Sequence, residues 1–205
     1  MQKRVTIPVT VKTRIGIDAQ DSYEALHHFI HTVAQAGCRT FIIHARKAWL
    51  SGLSPKENRD IPPLNYNFVY ALKRDFPWCS FILNGGIISR EAVQDELQQV
   101  DGVMLGRAAY HNPYLLAELD AIVFGERDIP SREKVIQHFI PYAVAQAGRG
   151  VRFSSLTRHI LGLYTGEIGA RRFRRYLSEN VRRVDCIATL LRGAVSALEV
   201  CDVAA

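Results

Sequence analysis

The sequence contains 205 residues, of which 48% are hydrophobic and 22% charged, with a formal net charge of +6. No apolar run approaches the length of a membrane span, and no signal peptide opens the chain, so we expect a cytoplasmic protein without a membrane partner. The four cysteines lack paired metal-ligand spacing, so we expect no metal site and interpret them as reduced, structural thiols. They are Cys38, Cys79, Cys186 and Cys201.

The positive charge is concentrated in the C-terminal part of the chain. Residues 1–130 carry 14 Lys and Arg against 14 Asp and Glu, whereas residues 131–205 carry 12 against 6. The polar segment GERDIP at 125–130 ends in a proline that can begin a helix, which favours a domain boundary here. We expect one domain over residues 1–128 and a basic domain over residues 129–205.

Four short runs rich in β-branched or apolar residues predict strands at 5–12, 40–44, 81–83 and 102–105. Helical patterns follow the first two strands at 21–36 and 65–76, and an amphipathic helix joins the last two. Asp21 or Ser22 can cap the first helix, and Gly37 ends it. This β-α-β-α alternation predicts parallel strands with crossover helices, an α/β fold.

The basic C-terminal part has a helical pattern throughout. Ser131 can cap a helix that runs to about residue 146, Gly148 and Gly150 interrupt it, and helices resume over 153–163 and 170–177. We therefore expect an all-α domain after the α/β domain.

Two of the predicted strands end in segments that suit a phosphate group. The run at 81–83 stops at Asn84-Gly85-Gly86, where missing side chains let backbone N–H groups approach an anion. The run at 102–105 stops at Gly106-Arg107, whose guanidinium can hold phosphate oxygens through two parallel hydrogen bonds. In β/α barrels the loops after the last two strands commonly bind phosphate. The pattern therefore predicts a phosphorylated cofactor and the C-terminal half of a TIM-type (β/α)8 barrel with four parallel strands.

Two further side chains are expected at the same rim of the barrel. Lys12 ends the first predicted strand, and His44 ends the second. A cation at that rim can stabilise an anionic cofactor ring, although a single strand-end lysine or histidine also suits simple packing or solvation.

A long connection at 45–64 has no clear periodicity, and loops of this length are functional or disordered in most proteins. It combines cations, an amide and an aromatic ring, a mixture that holds unpaired nucleotides. The residues are Arg46, Lys47, Trp49, Lys56, Asn58 and Arg59. A solvated insertion with Trp49 and Leu53 packed on the barrel fits the composition equally well.

Four arginines within five positions, Arg171, Arg172, Arg174 and Arg175, form the densest charge cluster, and Arg158 precedes them. A nucleic-acid backbone is a natural partner for such density. On a helix, however, these arginines point around more than half the circumference, and some can pair with Glu167, Glu179 or Asp185.

Taken together, five segments resemble one family, the tRNA-dihydrouridine synthases, and within it the bacterial A-type enzymes. They are PVTVKTRIGID (8–18), FIIHARKAWLSGLSPKENRDIPPL (41–64), NGGI (84–87), DGVMLGRAAYHNP (101–113) and TRHILGLYTGEIGARRFRRYLSEN (157–180). The resemblance implies an FMN-binding β/α barrel followed by a helical domain, which together clamp a tRNA. It further implies that NADPH reduces the flavin, which then delivers hydride to a D-loop uridine.

By the same resemblance, specific residues receive roles. Those implied to bind FMN are Lys12, His44, Asn84, Gly85, Gly86, Gly106 and Arg107. Those implied to face tRNA are Arg46, Lys47, Lys56, Asn58, Arg59, Arg158, Arg171, Arg172, Arg174 and Arg175.

The chain also departs from the family pattern. Family members begin with four further strands and a loop whose cysteine protonates the uridine C5 carbon, and none of the four cysteines here has a matching context. We therefore expect an N-terminally truncated part of the enzyme, without a catalytic residue of its own and inactive in isolation, whereas the full-length enzyme is expected to be a monomer. Two alternatives remain: a noncatalytic RNA-binding remnant, or a flavin-barrel oxidoreductase acting on a small pyrimidine.

Overall fold

The computed structural model describes residues 1–198 and contains one parallel sheet together with helices. The strands are β1 (Val11–Arg14), β2 (Thr40–His44), β3 (Ser80–Asn84) and β4 (Gly102–Met104), hydrogen bonded in the order β1-β2-β3-β4. The helices between them are α1 (Tyr23–Gln35), α2 (Tyr66–Asp75) and α3 (Arg90–Glu96). The later helices are α4 (Arg107–His111), α5 (Tyr114–Phe124), α6 (Arg132–Gly148), α7 (Phe153–Thr157), α8 (Ala170–Asn180) and α9 (Ile187–Ser196).

Each pair of consecutive strands is joined by one α-helix, and all three strand pairs are parallel. Parallel neighbours need a crossover of a dozen or more residues, usually a helix, to return the chain to the same end of the sheet. The predicted α/β class with four parallel strands is therefore confirmed.

The first strand is shorter than predicted and lies further along the chain. The prediction was 5–12, whereas β1 is Val11–Arg14 and its ladder to β2 begins where Val11 pairs with Phe41. Pro8 has no N–H to contribute to a ladder, and β-branched composition alone does not indicate where a partner strand begins. Lys12 is consequently the second residue of β1, and Arg14 ends the strand. The other strand predictions agree with the structure to within one residue at each end.

Local capping fixes where the first helix begins. The Ser22 hydroxyl oxygen accepts a hydrogen bond from the Ala25 N–H over 3.2 Å, so Ser22 rather than Asp21 is the N-cap. Gly37 follows the helix end with a φ of +102°, a conformation that favours glycine.

One face of the sheet forms a hydrophobic core with the helices. Phe41, Ile43, Phe81 and Leu83 have no exposed surface, and the rings of Phe41 and Phe81 stack with centroids 5.6 Å apart. The Phe76 ring, at the end of α2, lies 6.4 Å from the Phe81 ring. Burying each such side chain contributes about 1.5–3 kcal/mol, so this face holds the unit together.

The opposite face, which we call the open face, carries the alternate residues of the same strands. These are only partly buried or exposed: Lys12, Arg14, Ile42, His44, Ile82, Asn84 and Met104. Because side chains alternate along a strand, the polar residues at the strand ends project from this face.

Residues from 107 onward form a second compact unit, and in its described part, residues 107–198, the regular structure is helical. Ser131 caps α6 as predicted, since its hydroxyl oxygen accepts a hydrogen bond from the Lys134 N–H over 3.2 Å. The hydrophobic core of this second unit includes Phe173 and Leu177 from α8 and Leu190 and Leu191 from α9.

The helix predicted at 153–163 is wrong in its length, because α7 ends at Thr157 and turns follow. A Cβ at Gly162 would lie only 1.9 Å from the His111 carbonyl oxygen, and the Thr165 hydroxyl donates to that same oxygen over 3.2 Å. The chain leaves the helix to make this close backbone approach. In contrast, α8 runs to Asn180, three residues beyond its predicted end.

The two compact units divide between Gly106 and Arg107, so α4 and α5 lie with the second unit. The domain boundary predicted between residues 128 and 129 falls later, between α5 and α6, and stays a prediction.

Candidate functional site

The carboxyl ends of the strands bring three of the predicted cofactor residues onto the open face. His44 and Asn84 are register partners at the ends of β2 and β3. The Lys12 ammonium donates a hydrogen bond to the Asn84 Oδ1 over 2.9 Å, and the Asn84 Nδ2 donates to the Met104 carbonyl over 2.7 Å. Asn84 therefore connects β1, β3 and β4, and its amide orientation is set from both sides.

Lys12 lies within β1 rather than at its end, but its side chain still reaches the Asn84 amide. Burial lowers the pKa of Lys12 below its usual range, and the neighbouring Arg14 guanidinium adds to this effect. An anion near the Lys12 ammonium would offset both the loss of hydration and the repulsion from Arg14.

The turn after β3 is formed by two glycines in left-handed conformations. Gly85 has a φ of +110° and Gly86 a φ of +75°. A Cβ at Gly85 would lie 2.6 Å from the His44 Cδ2, and one at Gly86 would lie 2.5 Å from the Leu64 Cδ1. The conformation favours glycine at both positions, and a Cβ at either would displace a neighbouring side chain. Gly85 is buried and Gly86 is exposed at the carboxyl end of β3.

The second predicted phosphate segment begins at Gly106, which is exposed and has open space where a side chain would project. Arg107 is the first residue of α4 and of the second unit. We call the turn at Asn84-Gly85-Gly86 the NGG turn. That Gly106 and Arg107 bind the same phosphate as this turn stays a prediction.

A residue that the sequence reasoning missed, Arg14, lies at the centre of the basic loop at 45–64. One nitrogen of its guanidinium donates hydrogen bonds to the carbonyl oxygens of Lys47 and Asn58, both over 2.9 Å. Burial lowers the pKa of Arg14, as do the nearby guanidiniums of Arg46 and Arg59. Three arginines thus converge beside the open face. The spacing Lys12-Thr13-Arg14 was the available signal, because residues two apart in a strand share a face.

Of the loop residues predicted to face RNA, three are engaged within the first unit itself. The Arg46 guanidinium donates to the Pro62 carbonyl, and the Lys47 ammonium pairs with the Asp21 carboxylate. The Asn58 side chain accepts a hydrogen bond from the Trp49 N–H over 2.8 Å and donates to the Trp49 carbonyl over 2.7 Å. Asn58 therefore shapes the loop. Lys56 and Arg59 have exposed side chains.

The arginine cluster on α8 divides into two sets. Arg171, Arg174 and Arg175 are exposed, with Arg175 only 4.0 Å from Glu179 one turn later. Arg172 instead donates hydrogen bonds to the carbonyl oxygens of Ala197 (3.2 Å) and Leu198 (2.7 Å), just beyond α9.

Other exposed basic residues lie in the same unit. Arg158 is exposed after α7, and beside it the ring of His159 meets the Tyr110 ring edge-on at 5.8 Å. Arg182 and Arg183, which the sequence reasoning did not single out, are exposed after the end of α8. Their signal was present as a further basic pair seven residues beyond Arg174-Arg175.

Residues 1–198 contain neither a cluster of side chains suited to a metal ion nor a helix suited to a membrane. No group of three or more His, Cys, Asp or Glu side chains there is placed to hold a metal ion. No helix in that range is both long enough and apolar enough to cross a membrane.

Comparisons with known proteins identify the family of this chain. A sequence profile described as Dihydrouridine synthase (Dus) matches residues 1–199. A tRNA-dihydrouridine(20/20a) synthase from Shewanella oneidensis is 58% identical over 184 residues, covering 89% of this chain and 55% of the relative. Its counterpart from Escherichia coli K12 is 53% identical over 197 residues, covering 95% and 57%, and that from Synechocystis is 50% identical over 198 residues, covering 96% and 59%. The chain thus spans a little over half the length of these relatives.

Among solved structures, the RcsB response regulator of Salmonella typhimurium aligns with 93% of this chain and 98% of its own at 12% identity. Its TM-score of 0.29 is too low to bear on the fold. The profile match covers nearly the whole chain, and the sequence identities to three curated relatives reach 50–58%. This chain belongs to the dihydrouridine synthase family.

Proposed function

We propose that this chain contributes part of an FMN-dependent tRNA-dihydrouridine synthase, which uses NADPH to reduce uridines 20 and 20a of the tRNA D-loop to 5,6-dihydrouridine. The observation that carries the proposal is the arrangement of the Lys12–Asn84 pair and the NGG turn at one rim of a parallel sheet. We further propose that this sheet is the C-terminal half of a TIM-type (β/α)8 barrel.

The fit to FMN rests on the cradle of bare backbone after β3. Gly85 and Gly86 follow one another in left-handed conformations, and Gly86 is exposed, so the turn offers a glycine backbone of the kind that binds anions. We propose that Asn84, Gly85, Gly86 and Gly106 hold the FMN phosphate. Arg107 joins them on the strength of its sequence position and the family resemblance.

The chemistry that a bound FMN supplies is transfer of a hydride from NADPH to a uracil ring. Lys12 would provide a positive charge beside the bound cofactor, and the Asn84 amide holds that ammonium in place. His44 packs against Gly85 and provides a hydrogen-bonding imidazole at the same rim.

Two basic surfaces support tRNA as the partner. In the first unit, Arg14, Arg46 and Arg59 converge beside the open face. In the second unit, Arg158, Arg171, Arg174 and Arg175 are exposed, and the exposed Tyr110 ring contacts His159, the residue after Arg158. Cations with nearby exposed rings are the combination that holds RNA backbone and unpaired bases. Lys47, Lys56, Asn58 and Arg172 complete the proposed set, although Asn58 and Arg172 also have structural partners.

We propose that the general acid comes from outside this chain. Cys38 and Cys79 precede β2 and β3 at the amino ends of the strands, about 16 Å from the carboxyl rim at 3.3 Å per residue over five residues. Cys186 lies in the second unit, and Cys201 lies outside the described residues. The cysteines of the first unit are therefore misplaced for protonating a uridine at the rim.

A chimera tests the proposal. The stretch of the Escherichia coli K12 relative that aligns with this chain, 197 residues at 53% identity, is replaced by this chain and expressed in a strain without its own enzyme. We expect dihydrouridine to return to tRNA in the chimera and to be lost in its Lys12→Ala variant. The matched control is Cys38→Ser, which removes a buried thiol at the opposite end of the sheet and should retain product.

A folded chimera that binds tRNA but forms no dihydrouridine would favour the noncatalytic RNA-binding alternative. A chimera that reduces free pyrimidines and leaves tRNA unchanged would favour the small-molecule alternative.

A further inference from the structure

The turn after β3 is held by a residue that no sequence motif singled out. Tyr66, the first residue of α2, donates a hydrogen bond from its hydroxyl to the Gly85 carbonyl oxygen over 2.6 Å. The same hydroxyl oxygen lies 2.9 Å from the position of a Cβ at Gly86. One phenol group thus touches both glycines of the NGG turn.

The phenol is suited to act as a lasting donor. Its ring is partly buried, and burial raises the pKa of Tyr66, with a further rise from Glu96 and a smaller opposing effect of Arg46. Tyr66 therefore remains protonated at neutral pH, and its hydrogen bond to the Gly85 carbonyl persists.

The neighbouring residues connect this contact to the long loop at 45–64. The Leu64 methyls lie 3.2 Å from a Cβ position at Gly85 and 2.5 Å from one at Gly86. Leu64 forms an antiparallel bridge with Arg46, and the Asn65 N–H donates to the Ala45 carbonyl over 2.8 Å. Residues 64–66 therefore close the long loop at its base and support the glycine turn at the same time.

We propose that Tyr66 is a positioning residue for the phosphate-binding turn, whose hydrogen bond to the buried Gly85 holds Gly85 and the exposed Gly86 in the left-handed conformations that shape the turn for an anion. This inference rests on the proposed function, because the anion in question is the phosphate of FMN. It goes further by assigning the selectivity for a phosphorylated flavin to a side chain that need not touch the cofactor.

Tyr66→Phe tests the proposal by removing only the hydroxyl. The full chain is titrated with FMN and with riboflavin, which has the same ring system without the phosphate, and binding is followed by quenching of flavin fluorescence. We expect Tyr66→Phe to weaken FMN binding about 3- to 10-fold, the effect of one lost hydrogen bond, and to leave riboflavin binding unchanged. The matched control is Tyr70→Phe, one turn along α2, whose hydroxyl donates to Glu96 over 2.5 Å and should change neither affinity.

Several outcomes would overturn the inference. Equal weakening of FMN and riboflavin binding would make Tyr66 a residue of the general fold, and unchanged FMN binding would remove its role altogether. A wild-type chain that binds FMN no better than riboflavin would refute the proposed phosphate site itself, and the inference with it.

Leu64→Ala is a second variant that separates the hydrogen bond from packing. It removes the methyls beside both glycines and leaves the Tyr66 hydroxyl intact. If the Tyr66 hydrogen bond holds the turn, Leu64→Ala should still bind FMN more tightly than riboflavin; a loss of that preference as large as in Tyr66→Phe would assign the support of the turn to packing and contradict the proposal.

Discussion

At the scale of single residues, the NGG turn depends on glycine, which has no Cβ. Gly85 combines a left-handed φ of +110° with a Cβ position only 2.6 Å from the His44 ring. Gly52, in the long loop, shares the left-handed conformation, with a φ of +82°, but has nothing within 4 Å of its Cβ position. Comparing Gly52 with Gly85 separates the free-energy cost of placing a side chain in a left-handed conformation from the cost of steric overlap with neighbouring atoms.

Gly85→Ala should therefore destabilise the protein more than Gly52→Ala. We expect Gly52→Ala to cost about 1 kcal/mol through backbone strain alone, and Gly85→Ala about 2–3 kcal/mol because the His44 ring must also move. Urea unfolding of both variants measures the difference. Equal losses would mean that the His44 ring yields without cost.

A second residue-scale feature is Asp101, which anchors the start of β4. Its carboxylate accepts hydrogen bonds from the Lys73 ammonium over 2.6 Å and from the Phe81 N–H over 2.8 Å. Burial by itself would raise the pKa of Asp101, but these two donors together hold that pKa below its usual value of 3.8.

This pKa shift predicts how stability depends on pH. Because the carboxyl pKa is lower in the folded state, Asp101 stabilises the fold at pH values above its unfolded pKa, and the contribution disappears as pH falls through the folded pKa. Asp101→Asn should cost about 1 kcal/mol at pH 7, and the cost should shrink as the pH is lowered below 3.8. Unfolding free energies of wild type and variant over a series of acidic pH values test this, and a difference that does not shrink would contradict it.

At the scale of elements, the arginines of α8 differ in their surroundings: some are exposed to solvent, and one forms hydrogen bonds within the second unit. Residues on the outer side of the helix, Arg171, Arg174 and Arg175, reach solvent, whereas Arg172 reaches the carbonyl oxygens at the end of α9. A guanidinium at the carboxyl end of a helix donates to carbonyl oxygens there and interacts favourably with the helix dipole.

Arg172→Ala should therefore change mainly the stability of the fold, and Arg171→Ala mainly the binding of tRNA. We expect Arg172→Ala to lower the free energy of unfolding by about 1–2 kcal/mol, because it leaves helix-end carbonyls without their donor. Arg171→Ala should leave the free energy of unfolding within about 0.5 kcal/mol of wild type. It should weaken tRNA binding and reduce the slope of log K against log salt concentration by about one. Thermal unfolding and filter binding at several salt concentrations measure the two effects; a stable Arg172→Ala variant would contradict the capping role.

At the scale of the whole molecule, the described residues form two compact units, each with its own core. The sheet of the first unit has β1 and β4 as its edge strands, and its open face is polar at the carboxyl rim and apolar around Ile42 and Ile82. A parallel sheet in an α/β protein is ordinarily covered on both faces, so this surface suits further protein contacts and a ligand.

The placement of the cysteines predicts the activity of the chain by itself. With FMN, NADPH and unmodified tRNA, we expect no dihydrouridine, because the cysteines of the first unit lie at the amino ends of the strands and the proposed site lies at the carboxyl ends. Mass spectrometry of digested tRNA provides the measurement. Product formation would show that another group can act as the acid.

The sequence by itself determined the kinds of elements and their order. Helix caps such as Ser22 and Ser131, β-branched runs and the glycine pair after β3 act over a few residues, so a linear pattern reveals them. The tertiary structure alone decided which side chains act together. The Arg14 contact to Asn58 spans 44 residues, the Arg172 contact to Leu198 spans 26, and the Tyr66 contact to Gly85 spans 19. A hydrogen-bond partner that far along the chain depends on how whole elements pack, and no local preference encodes it.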